Sequence, residues 1–325
     1  MDQLINLLAN GEEVIDVDEE SFLLFAQDIA SNNLGMLNPR APSVEISING
    51  NEYITHQSPS LLSSHRAGGT TGAVLWKITP LFAEWVTNPS NPLWTNALLS
   101  RTSTVVELGT GISALVALVL APSVRHYIAT DQEYVRKLFR TNLDANASVS
   151  VSSSNSSNKG KGKSKGSKSS KSKPTSFPAK PVNNISFTTL DWETDQAASL
   201  KECMDSDGTH GQNGEEEGDE DKGFDLLLSC DCIYNEALVA PFVRTCAEIC
   251  RLRPAYVAAS EEQSSRRKPT VCIIAQQQRS PDVFETWLRE TMREFRVWRL
   301  SDDVLGEGLK SGSGYLIHLL LAKDK

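Results

Sequence analysis

The sequence is short of the features that mark membrane, secreted and nucleic-acid-binding proteins. No stretch reaches the roughly 18 consecutive apolar residues that a membrane-spanning helix needs. The amino terminus is acidic and has no basic region ahead of an apolar one, so a secretory signal is not expected. The six cysteines follow no framework spacing, which favours a reducing compartment. Lys and Arg number 32 against 41 Asp and Glu, and the net charge of −9 disfavours general binding to nucleic-acid phosphates.

Several catalytic patterns are missing as well. None of the five histidines lies in a catalytic pattern, and neither a Gly-x-Ser-x-Gly elbow nor a P-loop occurs. Cys230 and Cys232 are one residue apart, and Cys246 and Cys250 could share a helix face, but zinc sites need better spacing and usually histidines. We therefore predict no metal site.

Two long polar segments interrupt the chain. Residues 147–182 contain almost no large apolar side chains and eight lysines, and residues 203–222 are similarly polar but acidic. Neither segment can bury enough apolar surface to order itself, so both are predicted to be disordered insertions. We expect an N-terminal extension over residues 1–68 and one domain over residues 69–325 that carries both insertions.

The remaining residues alternate between strand and helix patterns. We expect helices at residues 112–121, 132–146, 236–252 and 281–294, and strands at residues 104–108, 124–130, 185–190, 224–230, 271–275, 295–300 and 315–321. No helix is expected between the last two strands, which are therefore predicted to be antiparallel. The pattern predicts an α/β fold with a Rossmann-like seven-stranded sheet and helices on both faces. Upstream, alternating apolar residues around Asn49-Gly50 predict a small N-terminal β-hairpin over residues 43–57.

The turn after the first strand of this sheet predicts a nucleoside cofactor. Gly109 and Gly111 follow the strand directly, where glycines let the backbone turn sharply and approach a ligand closely. Asp131 ends the second strand, where a carboxylate can accept hydrogen bonds from both ribose hydroxyls of an adenosine. The segment GTGISA also satisfies the dinucleotide pattern, so these residues alone leave the cofactor open. Glu107 makes the acidic-x-Gly-x-Gly form, which resembles class I methyltransferase loops and favours S-adenosylmethionine.

The fourth strand ends in a D-x-x-Y sequence that runs from Asp231 to Tyr234. Ligands of open α/β sheets bind outside the carboxyl ends of the strands, so this carboxylate and phenol should point toward the reactive end of the cofactor. There they would position an amine for methyl transfer. A carboxylate orients an ammonium group but also favours its charged form, so proton loss must come from desolvation or a water path. Arg279, after the fifth strand, is expected to be a solvated loop residue, with a place at the substrate entrance as the alternative.

Four segments in order carry a family resemblance. They are ELGTG (107–111), TDQEYVRKLFRTNLDAN (130–146), TLDW (189–192) and LLSCDCIYNEAL (227–238). Together they resemble the seven-β-strand protein-lysine methyltransferases with a D-x-x-Y motif, among them the enzymes that modify valosin-containing protein and translation elongation factors. The resemblance covers residues 69–321 outside the two polar segments. It implies S-adenosylmethionine as cofactor and a lysine of a cytosolic protein, such as elongation factor 1-alpha, as substrate.

The resemblance also implies a role for individual residues. The residues that would bind the cofactor are Trp76 near its methionine end, Glu107, Gly109 and Gly111 in the loop, Asp131 on the ribose, Asp191 and Trp192 at the adenine, and Ser229 through its backbone. Asp231 and Tyr234 would be the catalytic residues that hold the target amine. We expect a monomer in the cytoplasm, without a membrane or a specific nucleic acid as partner.

Three alternatives stay open at this point. The amine that accepts the methyl group could belong to a small molecule or a nucleic acid, although the net charge of −9 counts against the latter. A nicotinamide-dependent oxidoreductase would fit the glycine turn, but no Tyr-x-x-x-Lys proton donor is visible. A non-catalytic binding module could retain the cofactor pocket as a scaffold, and the presence of both Asp231 and Tyr234 argues against it.

Overall fold

The computed structural model describes residues 2–26, 35–64, 66, 69–147, 184–205, 223–253 and 268–323. Almost all of the two predicted disordered insertions, 147–182 and 203–222, lies outside these residues. The predicted boundary between an N-terminal extension and a main domain at residues 68 and 69 stays a prediction.

The described residues form ten strands. They are β1 (Gly11–Val14), β2 (Ser43–Ile48), β3 (Asn51–His56), β4 (Thr104–Leu108), β5 (His126–Asp131), β6 (Ile185–Thr189), β7 (Leu226–Cys230), β8 (Val271–Gln277), β9 (Phe295–Leu300) and β10 (Tyr315–Ala322). Eight of these strands form one sheet in the order β6-β5-β4-β7-β8-β10-β9-β1. The neighbours from β6 to β8 are parallel, and β10 is antiparallel to both β8 and β9. The predicted α/β fold with an antiparallel last strand is confirmed.

Strand β1 is an eighth member of the sheet that the sequence analysis missed. It pairs antiparallel with β9 at the edge of the sheet. Its four residues include two glutamates and show no apolar alternation, so they carry no strand signal. Glu12 and Glu13 instead form ion pairs with Arg299 and Arg296 of β9. Opposite charges across the pair therefore help to stabilise an edge strand whose single apolar residue, Val14, is buried.

The described residues also form eleven α-helices. They are α1 (Asp2–Leu8), α2 (Val17–Phe25), α3 (Pro59–Leu62), α4 (Ile78–Thr87), α5 (Pro92–Thr95), α6 (Leu115–Leu120), α7 (Glu133–Ala145), α8 (Leu200–Asp205), α9 (Glu236–Arg251), α10 (Pro281–Glu294) and α11 (Asp302–Leu305). Helix α6 starts three residues later than predicted, because Ala114 is left-handed with a φ of 55° and Ile112 donates its N–H to the Gly72 carbonyl oxygen. The expectation of no helix between the last two strands was wrong, since α11 lies there.

Helices cover both faces of the sheet, as predicted. One face packs on α4, α6, α7 and the hairpin of β2 and β3 through a buried cluster that includes Phe82 and Phe139. The other face packs on α9 and α10 through a second cluster that includes Phe242 and Trp287. The sheet is therefore buried on both sides, and its carboxyl-terminal edge remains as the place where loops meet.

The predicted hairpin is confirmed and docks on α7 through two asparagine side chains. β2 and β3 pair antiparallel around Asn49 and Gly50, which both have positive φ angles. Asn142 accepts the N–H of His56 at 2.8 Å and donates to the carbonyl oxygens of His56 and Ile112 at 3.0 and 2.7 Å. Asn146 makes the same pair of bonds with the backbone of Ile54. The two side-chain amides thus make the backbone hydrogen bonds that a neighbouring strand would make along β3.

We expect Asn142→Ala to lower the free energy of unfolding by about 2–4 kcal/mol. The substitution leaves buried backbone groups of His56 and Ile112 without partners, at a side chain that is itself fully buried. Denaturant unfolding followed by circular dichroism measures the change. Asp144→Ala, at an exposed position of the same helix, is the matched control and should change the free energy by less than about 0.5 kcal/mol. Equal losses in the two variants would contradict the docking role.

Candidate active site

A cavity of about 450 Å³ lies at the carboxyl ends of β4, β5 and β7. Nine of the ten residues predicted from the sequence line it: Trp76, Glu107, Gly109, Gly111, Asp131, Asp191, Trp192, Asp231 and Tyr234. Ser229 does not line it, because its side chain is buried and its hydroxyl donates to the Leu108 carbonyl oxygen at 3.1 Å. The structure thus brings together residues that are as much as 158 positions apart in the sequence, from Trp76 to Tyr234.

The glycine turn after β4 forms one wall of the cavity. Gly109 and Gly111 have φ angles of 68° and 61°, a region that favours glycine. A Cβ on Gly109 would stand 2.3 Å from Cys232 Sγ and 3.3 Å from the Trp192 ring. Both positions therefore favour glycine for the backbone conformation, and Gly109 favours it for space as well.

Glu107, in the last part of the strand before the glycines, stabilises the glycine turn through hydrogen bonds. Its carboxylate accepts hydrogen bonds from the hydroxyls of Thr110 at 2.6 Å and Tyr127 at 2.7 Å. Burial raises the pKa of Glu107 to about 7, and the two hydroxyl bonds oppose that shift. The residue lies at the floor of the cavity, where it fixes the loop rather than facing open solvent.

Asp131 holds the turn from the side and still presents lone pairs. One carboxylate oxygen accepts the N–H of Gly111 at 2.8 Å, and the other accepts the N–H of Gln132 at 2.7 Å. Burial raises the pKa of Asp131 to about 6, while the backbone bonds lower it. Each carboxylate oxygen can accept a second hydrogen bond, so two adjacent hydroxyls of a ligand would find acceptors here.

Asp191 and Trp192 follow β6 and form the opposite wall. Asp191 accepts the N–H of Glu193 at 2.9 Å, which shapes a tight turn. The Trp192 ring packs edge-on against Phe242 with ring centroids 5.0 Å apart. Its Nε1 is buried and has no hydrogen-bond partner among the described residues. A buried donor without a partner costs free energy, so a ligand acceptor would be favourable at this wall.

The D-x-x-Y turn leaves β7 with Asp231 in the left-handed region, at a φ of 62°. The carboxylate of Asp231 accepts two bonds from the guanidinium of Arg279 and one from the N–H of Gln277. The Asp231 side chain is 1% exposed and that of Arg279 is 17% exposed. The expectation of a solvated loop arginine at position 279 was therefore wrong. Asn235, rather than Asp231, caps helix α9 through the N–H of Ala237.

Tyr234 stands at the mouth of the cavity and is 39% exposed. Its hydroxyl oxygen accepts a hydrogen bond from the Thr71 hydroxyl at 2.9 Å. The carbonyl oxygen of Thr71 in turn accepts the indole N–H of Trp76 at 3.1 Å. Burial raises the pKa of Tyr234, so the phenol stays protonated at neutral pH. Thr71 thus links the two aromatic side chains that flank the opening.

Sequence reasoning missed several residues of this site. Thr71, Tyr134 and Cys232 line the cavity, and Arg66 stacks over the Tyr134 ring at 4.3 Å from its centroid. The glycine and threonine run ahead of Trp76, at residues 68–72, was the available signal for a loop that approaches a ligand.

The comparisons with known proteins agree with this geometry. No protein-family model matches the chain. It is similar to the ribosomal lysine N-methyltransferase 5 of Zygosaccharomyces rouxii, with 26% identity over 258 residues that cover 76% of this chain and 72% of the relative. The protein of the same name from Kluyveromyces lactis is 25% identical over 313 residues, which cover 85% of this chain and 88% of the relative. Over most of its length, the chain is thus similar to proteins named lysine N-methyltransferases.

The predicted resemblance to lysine methyltransferases is confirmed by these matches, and they are consistent with the predicted cofactor, S-adenosylmethionine. The antiparallel β10 is the reversed last strand that the sequence predicts. A solved structure, the N-methyltransferase NodS from Bradyrhizobium japonicum in complex with S-adenosylhomocysteine, has a TM-score of 0.35 and 11% identity over 72% of this chain and 90% of that chain.

Another relative matches a shorter part of the chain and is not named a methyltransferase. The Schizosaccharomyces pombe protein named diaminohydroxyphosphoribosylamino-pyrimidine deaminase is 38% identical over 134 residues, which cover 41% of this chain and 32% of that protein. The chain thus spans about a third of that relative's length. Zinc-dependent nucleobase deaminases use H-x-E and P-C-x-x-C patterns, and neither pattern occurs in the 325 residues. The described residues also contain no cluster of three or more His, Cys, Asp or Glu side chains that could hold a metal.

The residues that line the cavity fit S-adenosylmethionine. Two glycines of its wall, Gly109 and Gly111, carry no side chain, Trp192 Nε1 is a donor without a partner among the described residues, and Asp131 has unused lone pairs. These are the groups that an adenosine would satisfy. Within the described ranges, no helix is long and apolar enough to cross a membrane.

Affinity for the product S-adenosylhomocysteine should fall as the pH drops through about 6, the pKa of Asp131. A protonated carboxyl loses one of the acceptors that the ribose hydroxyls need, so binding requires the ionised form. For a group with this pKa, the dissociation constant should be about tenfold larger at pH 5 than at pH 7. Calorimetry at both pH values measures it. Asp131→Asn is the control, and a pH dependence that survives in this variant would assign the titration to another group.

Proposed function

We propose that the chain transfers a methyl group from S-adenosylmethionine to the ε-amine of a lysine in a protein substrate. One observation carries this proposal: the turn from Asp231 to Tyr234 lines the same cavity as the glycine loop and Asp131. The relatives that cover most of the chain are named lysine N-methyltransferases, which supports the same reading.

Several residues of the cavity would bind and orient S-adenosylmethionine. Asp131 would accept the ribose hydroxyls, the glycine loop would approach the cofactor closely, and Trp192 with Asp191 would flank the adenine. Trp76 would contact the methionine end, and Ser229 would support the strand end from behind. When bound, S-adenosylmethionine supplies a methyl group on a positively charged sulfur, and transfer to a lysine ammonium yields methyl-lysine, S-adenosylhomocysteine and a proton.

On the substrate side, Tyr234 is the group that would touch the amine. Because the Thr71 hydroxyl donates to the Tyr234 hydroxyl, the remaining lone pair of that oxygen can accept a substrate N–H. A neutral phenol does not favour the charged ammonium form as a carboxylate would. The rings of Trp76 and Tyr234, both bonded to Thr71, would pack along the methylene chain of the lysine.

We further propose a ribosomal protein as the substrate, because both long relatives carry ribosomal lysine N-methyltransferase in their names. The net charge of −9 suits a basic partner, and ribosomal proteins are basic. An elongation factor 1-alpha type protein, which the motif resemblance implied, is the second candidate. Both candidates would place the enzyme in the cytoplasm, which stays a prediction.

The test incubates the protein with labelled S-adenosylmethionine and either dissociated ribosomal proteins or purified elongation factor 1-alpha. The proposal predicts label in one ribosomal protein band, and much less label with Asp131→Ala at a cofactor concentration below the dissociation constant of that variant. Label confined to the elongation factor would identify that protein as the substrate and would still support methylation of a protein lysine. Label in RNA or in small molecules would contradict protein methylation.

A binding measurement separates methyl transfer from hydride transfer. S-adenosylhomocysteine should bind in calorimetry, whereas NAD should not. Tighter binding of NAD would favour the nicotinamide alternative and reject the proposal. Binding of S-adenosylhomocysteine with no transfer to any protein, RNA or small molecule tested would favour the non-catalytic scaffold.

A further inference from the structure

The carboxylate of Asp231 is already occupied. Both nitrogens of the Arg279 guanidinium fork donate to it, one of them at 2.6 Å, and the N–H of Gln277 donates at 3.1 Å. With 1% of the side chain exposed, there is no open face on which an ammonium group could settle. A lysine that enters the cavity would have to displace Arg279 to reach this carboxylate.

Arg279 is held from several directions. Its guanidinium lies 5.0 Å from the centroid of the Trp76 ring and donates to Gln277 Oε1 at 3.1 Å. A Cβ on Gly35 would stand 3.1 Å from a guanidinium nitrogen, so the backbone of residue 35 covers the ion pair. Arg279 therefore connects the end of β8, the end of β7 and the loop that leads into α4.

The ion pair also stabilises an unfavourable backbone conformation. Asp231 has a φ of 62°, which non-glycine residues rarely adopt. From this point Cys232 and Tyr234 face the cavity, while Ile233 is buried. A bidentate bond from a cation that is itself packed on an aromatic ring holds the turn in this shape.

We infer that Arg279 is a positioning residue: it neutralises Asp231 and holds the D-x-x-Y turn, so that the target lysine reaches Tyr234 as a neutral amine. This inference rests on the proposed lysine methylation. An unpaired carboxylate beside the lysine would favour the ammonium form, whereas a neutral ion pair leaves desolvation to favour the free amine. The ammonium gives its proton to solvent, and the nitrogen lone pair then accepts the methyl group.

The other titratable groups around Asp231 change this balance little at pH values well above 7, the approximate pKa of Glu107. They are Cys230 and Cys232 beside it, Tyr234 in the same turn, Tyr315 of β10, and the carboxyl groups of Glu107 and Asp131 at the ends of β4 and β5. Burial raises the pKa of both thiols and both phenols, which favours their neutral forms. The two carboxyl groups are ionised at these pH values and stay the same in every variant below.

The test measures methyl transfer to the protein substrate against pH, between about pH 7 and 10, together with affinity for S-adenosylhomocysteine. In Arg279→Met, the unpaired carboxylate should move the acid limb of kcat up by about one pH unit. The double variant Arg279→Met with Asp231→Asn removes both charges, and its limb should return to the parental position even if its rate is lower. Arg279→Lys should keep most of the parental pH profile, because it retains the charge.

Each outcome of this experiment supports or contradicts the inferred role of Arg279. An unchanged limb in Arg279→Met, or a shift that persists in the double variant, would overturn the inference, because a merely structural residue lowers the rate without moving the profile. Should Arg279→Met fail to fold, the double variant and Arg279→Lys still decide, since a shifted limb in either one contradicts the role. If the parent protein does not methylate lysine, the proposed function is rejected. The assay of the parent protein therefore tests the proposed function separately from the role of Arg279.

Discussion

Replacement of Asp131 by alanine should weaken the binding of S-adenosylhomocysteine by roughly ten- to hundredfold, or about 1.5–3 kcal/mol. The carboxylate holds the N–H groups of Gly111 and Gln132 and has lone pairs left for two ribose hydroxyls. Its removal takes away charge-assisted acceptors for the ligand and loosens the glycine turn at the same time. Calorimetry with the folded variant measures the loss.

The matched control for this prediction is Asp144→Ala, which removes a carboxylate from an exposed position of α7. It should leave the affinity within a factor of two or so, as expected of a distant surface change. If Asp131→Ala binds the ligand as tightly as the parent while retaining its circular dichroism spectrum, Asp131 only shapes the turn. The cavity would then bind its ligand through other groups.

Asp231→Asn should lower the kcat/KM of methyl transfer at least tenfold, or about 1.4 kcal/mol of transition-state stabilisation. The substitution nearly preserves shape but removes the charge that Arg279 binds, so the turn that carries Tyr234 loses its anchor. The affinity for S-adenosylhomocysteine should stay within a few-fold of the parent, because Asp131 and the glycine loop are untouched. The measurement compares the loss in kcat/KM with the change in affinity for S-adenosylhomocysteine.

Tyr234→Phe is the companion variant. It keeps the ring at the mouth and removes only the hydroxyl that accepts from Thr71, so we expect a smaller loss than for Asp231→Asn. A parental rate of lysine methylation in Asp231→Asn would show that the D-x-x-Y turn is structural in this chain. The reverse order of effects would place the more important role on the phenol.

The parts of the site that the sequence predicted depend on short spacings. Gly109, Gly111 and Asp131 belong to one strand-helix-strand unit, in which a glycine turn and the next strand end must meet. The hairpin was predicted from Asn49-Gly50 because that pair favours the positive φ angles that a tight turn requires, and the structure has them. Local backbone rules were sufficient in both cases.

The parts that the sequence did not predict depend on contacts between distant residues. Arg279 pairs with a residue 48 positions away, and Arg296 with one 283 positions away. Charge partners of this kind leave no periodic signal, because any surface arginine has the same local context. The strand β1 was missed for the same reason, since ion pairs rather than apolar alternation stabilise it.

The chemical identity of the methylated group tests the central claim most directly. Ribosomal proteins methylated with labelled S-adenosylmethionine are hydrolysed to amino acids, and the labelled product is compared with standards by chromatography and mass spectrometry. The account predicts label in ε-N-methyl-lysine with the parent protein and much less of it with Asp131→Ala. Label in a methylated arginine, histidine or nucleobase would contradict it.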